Sequence, residues 1–328
     1  MNAFRRLGID GYMILLLVTA VLGVLLPARG IGAEILGHVT YGAVALLFFL
    51  YGGKLDPLAV RAGLLNWRLQ GLAFGATYLL FPLLGLALIA VFGRVLGPEM
   101  SMGLMFLAVL PSTVQSSIAF TSIAGGNVAG AICAASLSNI LGVVLTPLLV
   151  TRLIQIEGAG VTLEAIEKIG LQILLPFILG QLMRRWIAGP INRHRMISRV
   201  VDRGSILLIV FAAFSAGTVA GVWSTIPATS LVITFAIVLL FLLAVVAIVR
   251  LSGRLAGLAE ADQAALLFCG STKSLASGLP IAMALFPAAQ VSAIILPTMI
   301  YHMTQLLLCS AISQKMVRSQ QVARRNAA

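Results

Sequence analysis

Four stretches of the sequence carry no Asp, Glu, Lys or Arg: Leu69 to Gly93, Ser101 to Thr151, Gly204 to Val249 and Ser274 to Gln314. About 20 apolar residues cross the hydrocarbon core of a bilayer once. The last three stretches are each long enough for about two passes. Each is punctuated where a turn is wanted: Gly125-Gly126-Asn127, Trp223-Ser224-Thr225-Ile226-Pro227 and Pro287-Ala288-Ala289-Gln290. With the shorter runs added, ten spans are expected, near 11–27, 38–54, 69–93, 101–124, 127–151, 168–186, 204–222, 228–249, 263–286 and 290–313. The runs are continuous rather than alternating, so the spans are helices and not barrel strands. The fold class that follows is an all-α polytopic membrane protein.

Charge decides how these spans lie. Only 10% of residues are charged, against roughly 25% in soluble domains. The net charge of +12 would invite a nucleic-acid partner, but its distribution excludes one. Sorting basic residues by loop puts Arg5, Arg6, Lys54, Arg61, Arg68, Arg184, Arg185, Arg193, Arg195, Arg199, Arg203, Arg250, Arg254, Lys315, Arg318, Arg324 and Arg325 on one side. Arg29, Arg94, Arg152 and Lys168 fall on the other, and Lys273 is left inside a span. By the positive-inside rule both termini are cytoplasmic, in a bacterial inner membrane, with the lipid bilayer as the surrounding partner. Arg5-Arg6 and the apolar run after it form an uncleaved first helix, because cleavage would leave nine spans and spoil the charge count. Cys133, Cys269 and Cys309 all lie inside spans, with neither disulfide nor metal spacing.

Five spans precede the segment Gln155 to Glu167 and five follow it, so the halves sit in the membrane with opposite orientation. The predicted division is an N-terminal repeat over 1–154 and an inverted C-terminal repeat over 155–328. Sequence echoes agree. Ser112-Thr113-Val114-Gln115-Ser116 in the fourth span parallels Ser271-Thr272-Lys273-Ser274 in the ninth, an offset of 159 residues. Asn127-Val128 parallels Gln290-Val291 at an offset of 163. The only long loop besides Gln155–Glu167 is Ile187 to Arg203, on the cytoplasmic side.

The fourth span holds Pro111 and then Ser112, Thr113, Gln115, Ser116 and Ser117. The ninth holds Gly270, Ser271, Thr272, Lys273 and Ser274, then Ser277, Gly278 and Pro280. Proline removes an amide donor and glycine lets the backbone leave the helix. Freed backbone groups at membrane depth must be buried in protein or line a watery cavity. Small residues also serve helix packing, but two symmetry-related polar clusters, one with a lysine, point to a site. Half-helix N-termini there suit an anionic group.

These residues resemble the bile acid:sodium symporter family over essentially the whole chain. The local motif is Pro111, a Ser-rich break through Ser116-Ser117, and Gly126-Asn127. The chain looks most like the divergent branch of bacterial and eukaryotic sodium/bile-acid cotransporter-like proteins. The resemblance implies broken fourth and ninth helices that cross. It implies a panel of helices 1, 2, 6 and 7 rocking against a core of helices 3, 4, 5, 8, 9 and 10, with substrate between them. It also implies an altered sodium site. Ser116 and Ser117 fall where members hold one sodium, but hydroxyl ligands of the fifth helix fall on Ala131 and Ala135, with Ser136 and Asn139 nearby. The family's acidic ligand falls on Cys269, its ninth-helix glutamine at or beside Lys273, and its third-helix glutamine near Thr77.

The leading function is therefore secondary transport of a small organic anion by alternating access, without a cofactor and with sodium or a proton as coupling ion. A non-transporting regulatory membrane protein and an intramembrane hydrolase are the alternatives. No Gly-x-Ser-x-Gly elbow, His-Glu-x-x-His or Walker motif is present, so no enzyme is expected. His302, mid-span beside Tyr301 and one turn from Gln305, is a candidate proton-titrating group. Lys273 is the most unusual residue. It lies about ten residues from the nearer end of its span, ~15 Å from water, where a charge costs roughly 2.5–3.5 kcal/mol. None of the spans contains a carboxylate to pair it. Hydroxyls, freed carbonyls, loss of its proton or an external anion remain, and it is expected to be the functional centre of the ninth helix.

Overall fold

In hydrocarbon the backbone must satisfy its own hydrogen bonds, and the apolar runs do so as helices. The computed structural model describes residues 11–54, 66–154, 170–221, 224 and 226–327, with no strand among them. The helices are α1 (Gly11–Leu25), α2 (Ile31–Lys54), α3 (Trp67–Leu96), α4 (Pro98–Val109), α5 (Gln115–Ile123), α6 (Val128–Leu153), α7 (Leu175–Leu182) and α8 (Arg184–Arg193). They continue with α9 (Arg195–Val219), α10 (Ala228–Leu255), α11 (Glu260–Gly270), α12 (Leu275–Leu285) and α13 (Ala288–Ala327). α3 contains a π-turn at Ala76–Leu80, and another at Gly170–Leu174 leads into α7. Arg5, Arg6, Arg61, Lys168, Trp223, Thr225 and the segment 155–167 lie outside the described residues.

Five helices are long and apolar enough to cross a membrane: Ile31–Lys54, Trp67–Leu96, Val128–Leu153, Thr229–Leu255 and Ala288–Val317. Shorter apolar helices accompany them, and Val91, Val232 and Leu255 stand 70–80% exposed on outer faces. Large aliphatic side chains displayed this way need lipid rather than water around them. The chain is a multi-pass membrane protein.

The fourth and ninth predicted spans are each two helices, α4–α5 and α11–α12. The second begins at Ile31 rather than near 38, directly after Gly30 turns the chain at φ 56°. The loop expected over 187–203 is largely helical. α8 sets Ile187 and Ile191 against Gly53 of α2, while the Arg185 guanidinium lies 3.8 Å from the centre of the Trp186 ring. A charged segment with apolar residues on one face can form a helix that no hydropathy window detects.

Two groups of helices are joined where α9 packs against α13. α1, α2, α7 and α9 pack together, α2 and α7 most intimately. Gly52 faces the Phe177 carbonyl and Gly180 faces the Phe49 carbonyl, so closely that a Cβ on either would overlap the oxygen. The second group includes α3, α4, α6 and α10–α13, with Phe81, Phe241 and Tyr301 clustered at ring separations of 5.3–6.1 Å. Its ends are tied by Asp262 at the start of α11. That carboxylate accepts from the Asn66 amide at 2.9 Å and the Asn127 amide at 2.7 Å, joining the starts of α3, α6 and α11.

Candidate functional site

The break between α4 and α5 runs from Leu110 to Val114, where Leu110 is extended and Pro111 supplies no N–H. Five successive carbonyls around it all find side-chain or main-chain donors. Ala108 and Leu110 accept from Lys273 Nζ, Val109 from Thr146 Oγ1, Pro111 from the Ser274 N–H and Ser112 from Asn139 Nδ2. Orphaned carbonyls are costly at membrane depth, and here each has a partner. Gly142 of α6 makes room for this. A Cβ there would meet Pro111 and the Tyr78 hydroxyl at 2.8 Å.

The break between α11 and α12, Ser271 to Ser274, lies against the first. Ser112 Oγ donates to the Cys269 carbonyl at 2.6 Å, and Ser117 Oγ to the Phe268 carbonyl at 2.9 Å. Thr272 Oγ1 meets the hydroxyls of Ser112, Thr113 and Ser117 at 2.8–3.1 Å. Gln305 of α13 holds the Lys273 peptide at both ends. Its Oε1 accepts the Lys273 N–H at 2.8 Å, and its Nε2 donates to the Lys273 carbonyl at 2.9 Å. That same Nε2 lies 3.0 Å from His302 Nδ1. With the amide oriented this way, Nδ1 accepts from Gln305 in the tautomer that carries the imidazole proton on Nε2.

Lys273 itself is fully buried. Its Nζ donates to the carbonyls of Thr77 (2.9 Å), Ala108 (2.8 Å) and Leu110 (2.6 Å) and sits 3.9 Å from the centre of the Phe81 ring. Thr77 has a carbonyl to offer for a local reason. In the π-turn the Phe81 N–H bonds to Ala76 O, and Pro82, next in that register, has no N–H for Thr77. A π-bulge with a proline after it thus exposes one acceptor.

A cavity of about 570 Å³ lies beside the paired breaks, between the two helix groups. One wall is Tyr12, Leu16, Phe48, Tyr51, Lys54, Phe177, Arg203 and Ile206. The facing wall carries Thr113, Gln115, Ser116, Ser136, Asn139, Ser274, Ser277 and His302 amid apolar neighbours. α5 and α12 both begin at this wall, so two half-helix N-termini adjoin it. Among the described residues that line it there is no Asp or Glu, while Lys54 and Arg203 are present. The surroundings favour negative charge.

Of the residues singled out from the sequence, Thr113, Gln115, Ser116, Ser136, Asn139, Ser274 and His302 line the cavity. Thr77, Ser112, Ser117, Ser271, Thr272 and Lys273 are buried behind that wall, in the seam between the breaks. Ser116, a sodium candidate with Ser117, donates to Thr113 Oγ1 at 2.6 Å. Among the described residues no group of three His, Cys, Asp or Glu could hold a metal. Sequence reading missed Tyr12, Tyr51, Lys54 and Arg203, and named Ser277 only as part of the ninth-span cluster. The two basic residues had been counted only as topology markers, and nothing local distinguishes them from other interfacial cations.

The model of the SBF-like CPA transporter family matches residues 10–318. An uncharacterized protein of Pseudomonas aeruginosa, PA2026, is 46% identical over 94% of this chain and 93% of its own. YfeH of Escherichia coli (strain K12), which its name provisionally calls a symporter, is 42% identical over 97% of this chain and 95% of its own. Sodium/bile acid cotransporter 7 of Danio rerio is 27% identical over 84% and 82%.

Proposed function

Because the chain belongs to the SBF-like CPA transporter family, we propose that it is a secondary active transporter carrying a small organic anion by alternating access. The observation that carries this reading is the cavity between the helix groups, where two half-helix N-termini adjoin a wall of hydroxyls and amides and where Lys54 and Arg203 are the charged side chains among the described lining residues. Gln115, Ser116, Ser136, Asn139 and His302 Nε2–H then bind the polar end of the substrate. Tyr51, Phe48, Phe120 and Phe177 take its apolar body.

The ten-span plan supplies the mechanism. α1, α2, α7 and α9 act as the panel and the remaining membrane helices as the core, built from inverted halves at 1–154 and 155–328. With both termini cytoplasmic, Tyr12, Lys54, Arg203 and Phe120 all fall on the cytoplasmic half, so this conformation opens inward. At the opposite end Gly217 of α9 meets Ser292 of α13 too closely for a Cβ, and this contact seals panel against core. Rocking the panel would exchange one opening for the other.

The coupling ion is not sodium in the usual way of the resembled family. Ala131, Ala135 and Cys269 offer no hard oxygen side chain, while the Ser116 hydroxyl donates to Thr113 and those of Ser117 and Thr272 bond each other and main-chain carbonyls. His302, on the cavity wall, is the residue we assign to proton coupling.

The test is uptake by reconstituted protein. Proteoliposomes loaded with an anion identified by thermal-shift screening should show counterflow that Arg203→Ala and Gln115→Leu abolish. Specific binding without counterflow would instead identify a regulatory membrane protein. Reporters placed after Arg195 and after Arg94 should read cytoplasmic and periplasmic; a reversed pair would remove the inverted-repeat mechanism.

A further inference from the structure

We propose that the crossover contains a monovalent-cation site whose permanent occupant is the chain's own Lys273 ammonium. Three carbonyl oxygens, of Thr77, Ala108 and Leu110, converge on one point at 2.6–2.9 Å from Nζ. They come from two separate interruptions, the π-turn of α3 and the broken end of α4, and the Phe81 ring face closes another side at 3.9 Å. Rings of main-chain carbonyls replacing a hydration shell are how proteins hold alkali cations in membranes.

The three acceptors match the donor count of the charged form. A neutral amine has two N–H donors and could serve two of the three acceptors; the ammonium serves all three. The cage is dry, since Thr77 is 1% exposed and Lys273, Ala108, Leu110 and Phe81 are fully buried. Neither Leu69 to Gly93 and Ser101 to Thr151, which supply the cage, nor Gln263 to Gln314, which supplies Lys273, contains an Asp or Glu, so none of these stretches sets a carboxylate beside the ammonium. Lys273 does not line the cavity, and its peptide is clamped by Gln305. It is therefore placed to hold the two breaks together without an ion from solution. Shortening its side chain would leave three convergent acceptors around a hole, a site for sodium, potassium or ammonium.

Thermal unfolding of purified protein without substrate tests this independently of the transport reading. Wild-type and Lys273→Ala are compared in sodium, potassium, ammonium and N-methyl-D-glucamine chlorides at equal ionic strength. Wild-type should unfold at one temperature in all four. Lys273→Ala should unfold earlier in N-methyl-D-glucamine and gain about 3 °C or more from at least one small cation. Lys273→Met, which fills the hole with apolar atoms, should be destabilised and unresponsive. The proposal is overturned if Lys273→Ala ignores all small cations, or if wild-type is itself stabilised by one of them. Should Lys273→Ala accumulate only when solubilised in a small-cation salt, the proposal stands. Should it fail in every salt while Lys273→Met accumulates, the proposal falls.

Discussion

The two breaks at the crossover look alike in sequence and are used differently. The α4–α5 break exposes carbonyls on its inner side, and on its outer side presents Gln115 and Ser116 to the cavity. The α11–α12 break is almost entirely dry, with Ser271, Thr272 and Lys273 fully buried. Only Ser274 of this break lines the cavity; the rest supplies hydroxyls and a cation to the first break. A broken helix in a membrane leaves unsatisfied groups on all sides. One break can afford an open side only because the other satisfies its closed side. The comparison therefore assigns the first break mainly to binding and the second mainly to holding the fold.

The sharpest way to break that division is Gln305→Leu. It strips partners from the Lys273 N–H and C=O, both in a fully buried setting. Leaving buried polar groups unpaired costs about 1–3 kcal/mol each, so a loss of roughly 2–5 kcal/mol is expected in thermal or denaturant unfolding. Unchanged stability would mean that the second break does not depend on this clamp. Next comes Gln115→Leu, with the opposite signature. Anion affinity should fall at least about tenfold, near 1.4 kcal/mol, while the unfolding temperature moves by less than about 2 °C. If Gln115→Leu unfolds early and binds normally, the roles of the two breaks are exchanged.

Asn139 tests the boundary between the two. Its Nδ2 donates to the Ser112 and Ala135 carbonyls, its Oδ1 accepts from Ser277 Oγ, and it lines the cavity. Asn139→Ala should lose about 1–2 kcal/mol of stability and weaken binding several-fold, a mixed effect that neither preceding variant shows. The smallest expected effect is that of sodium. Replacing external sodium by N-methyl-D-glucamine at fixed voltage should change initial uptake by less than about twofold, a result checked by radiotracer influx. A steep sodium dependence would return Ser116 and Ser117 to the role of ion ligands.

Much of this was legible in the letters because each signal was local. Uncharged length marks a membrane span, and Pro111 and Lys273 mark interruptions wherever they occur in hydrocarbon. Helix α8 was not legible: its arginines lower every hydropathy window, and only the packing of Ile187 and Ile191 on Gly53 makes it an element. The cavity's second wall was also hidden. Lys54 and Arg203 are 149 positions apart in the numbering and meet there only because α2, α7 and α9 pack together.

Lys273 shows where the division falls. Sequence alone determined that a lysine sits at membrane depth with no carboxylate in its span, and left hydroxyls, freed carbonyls, loss of its proton or an external anion to account for it. It named freed carbonyls among the possibilities without saying which. Tertiary structure decided that they belong to Thr77, Ala108 and Leu110, and that six of the polar residues grouped with the site face a dry seam rather than the cavity. The reason is physical. The need for a partner follows from the energy of one charge in hydrocarbon, whereas the partner's identity follows from which distant backbone interruptions the packing of α3, α4 and α11 brings within hydrogen-bond reach.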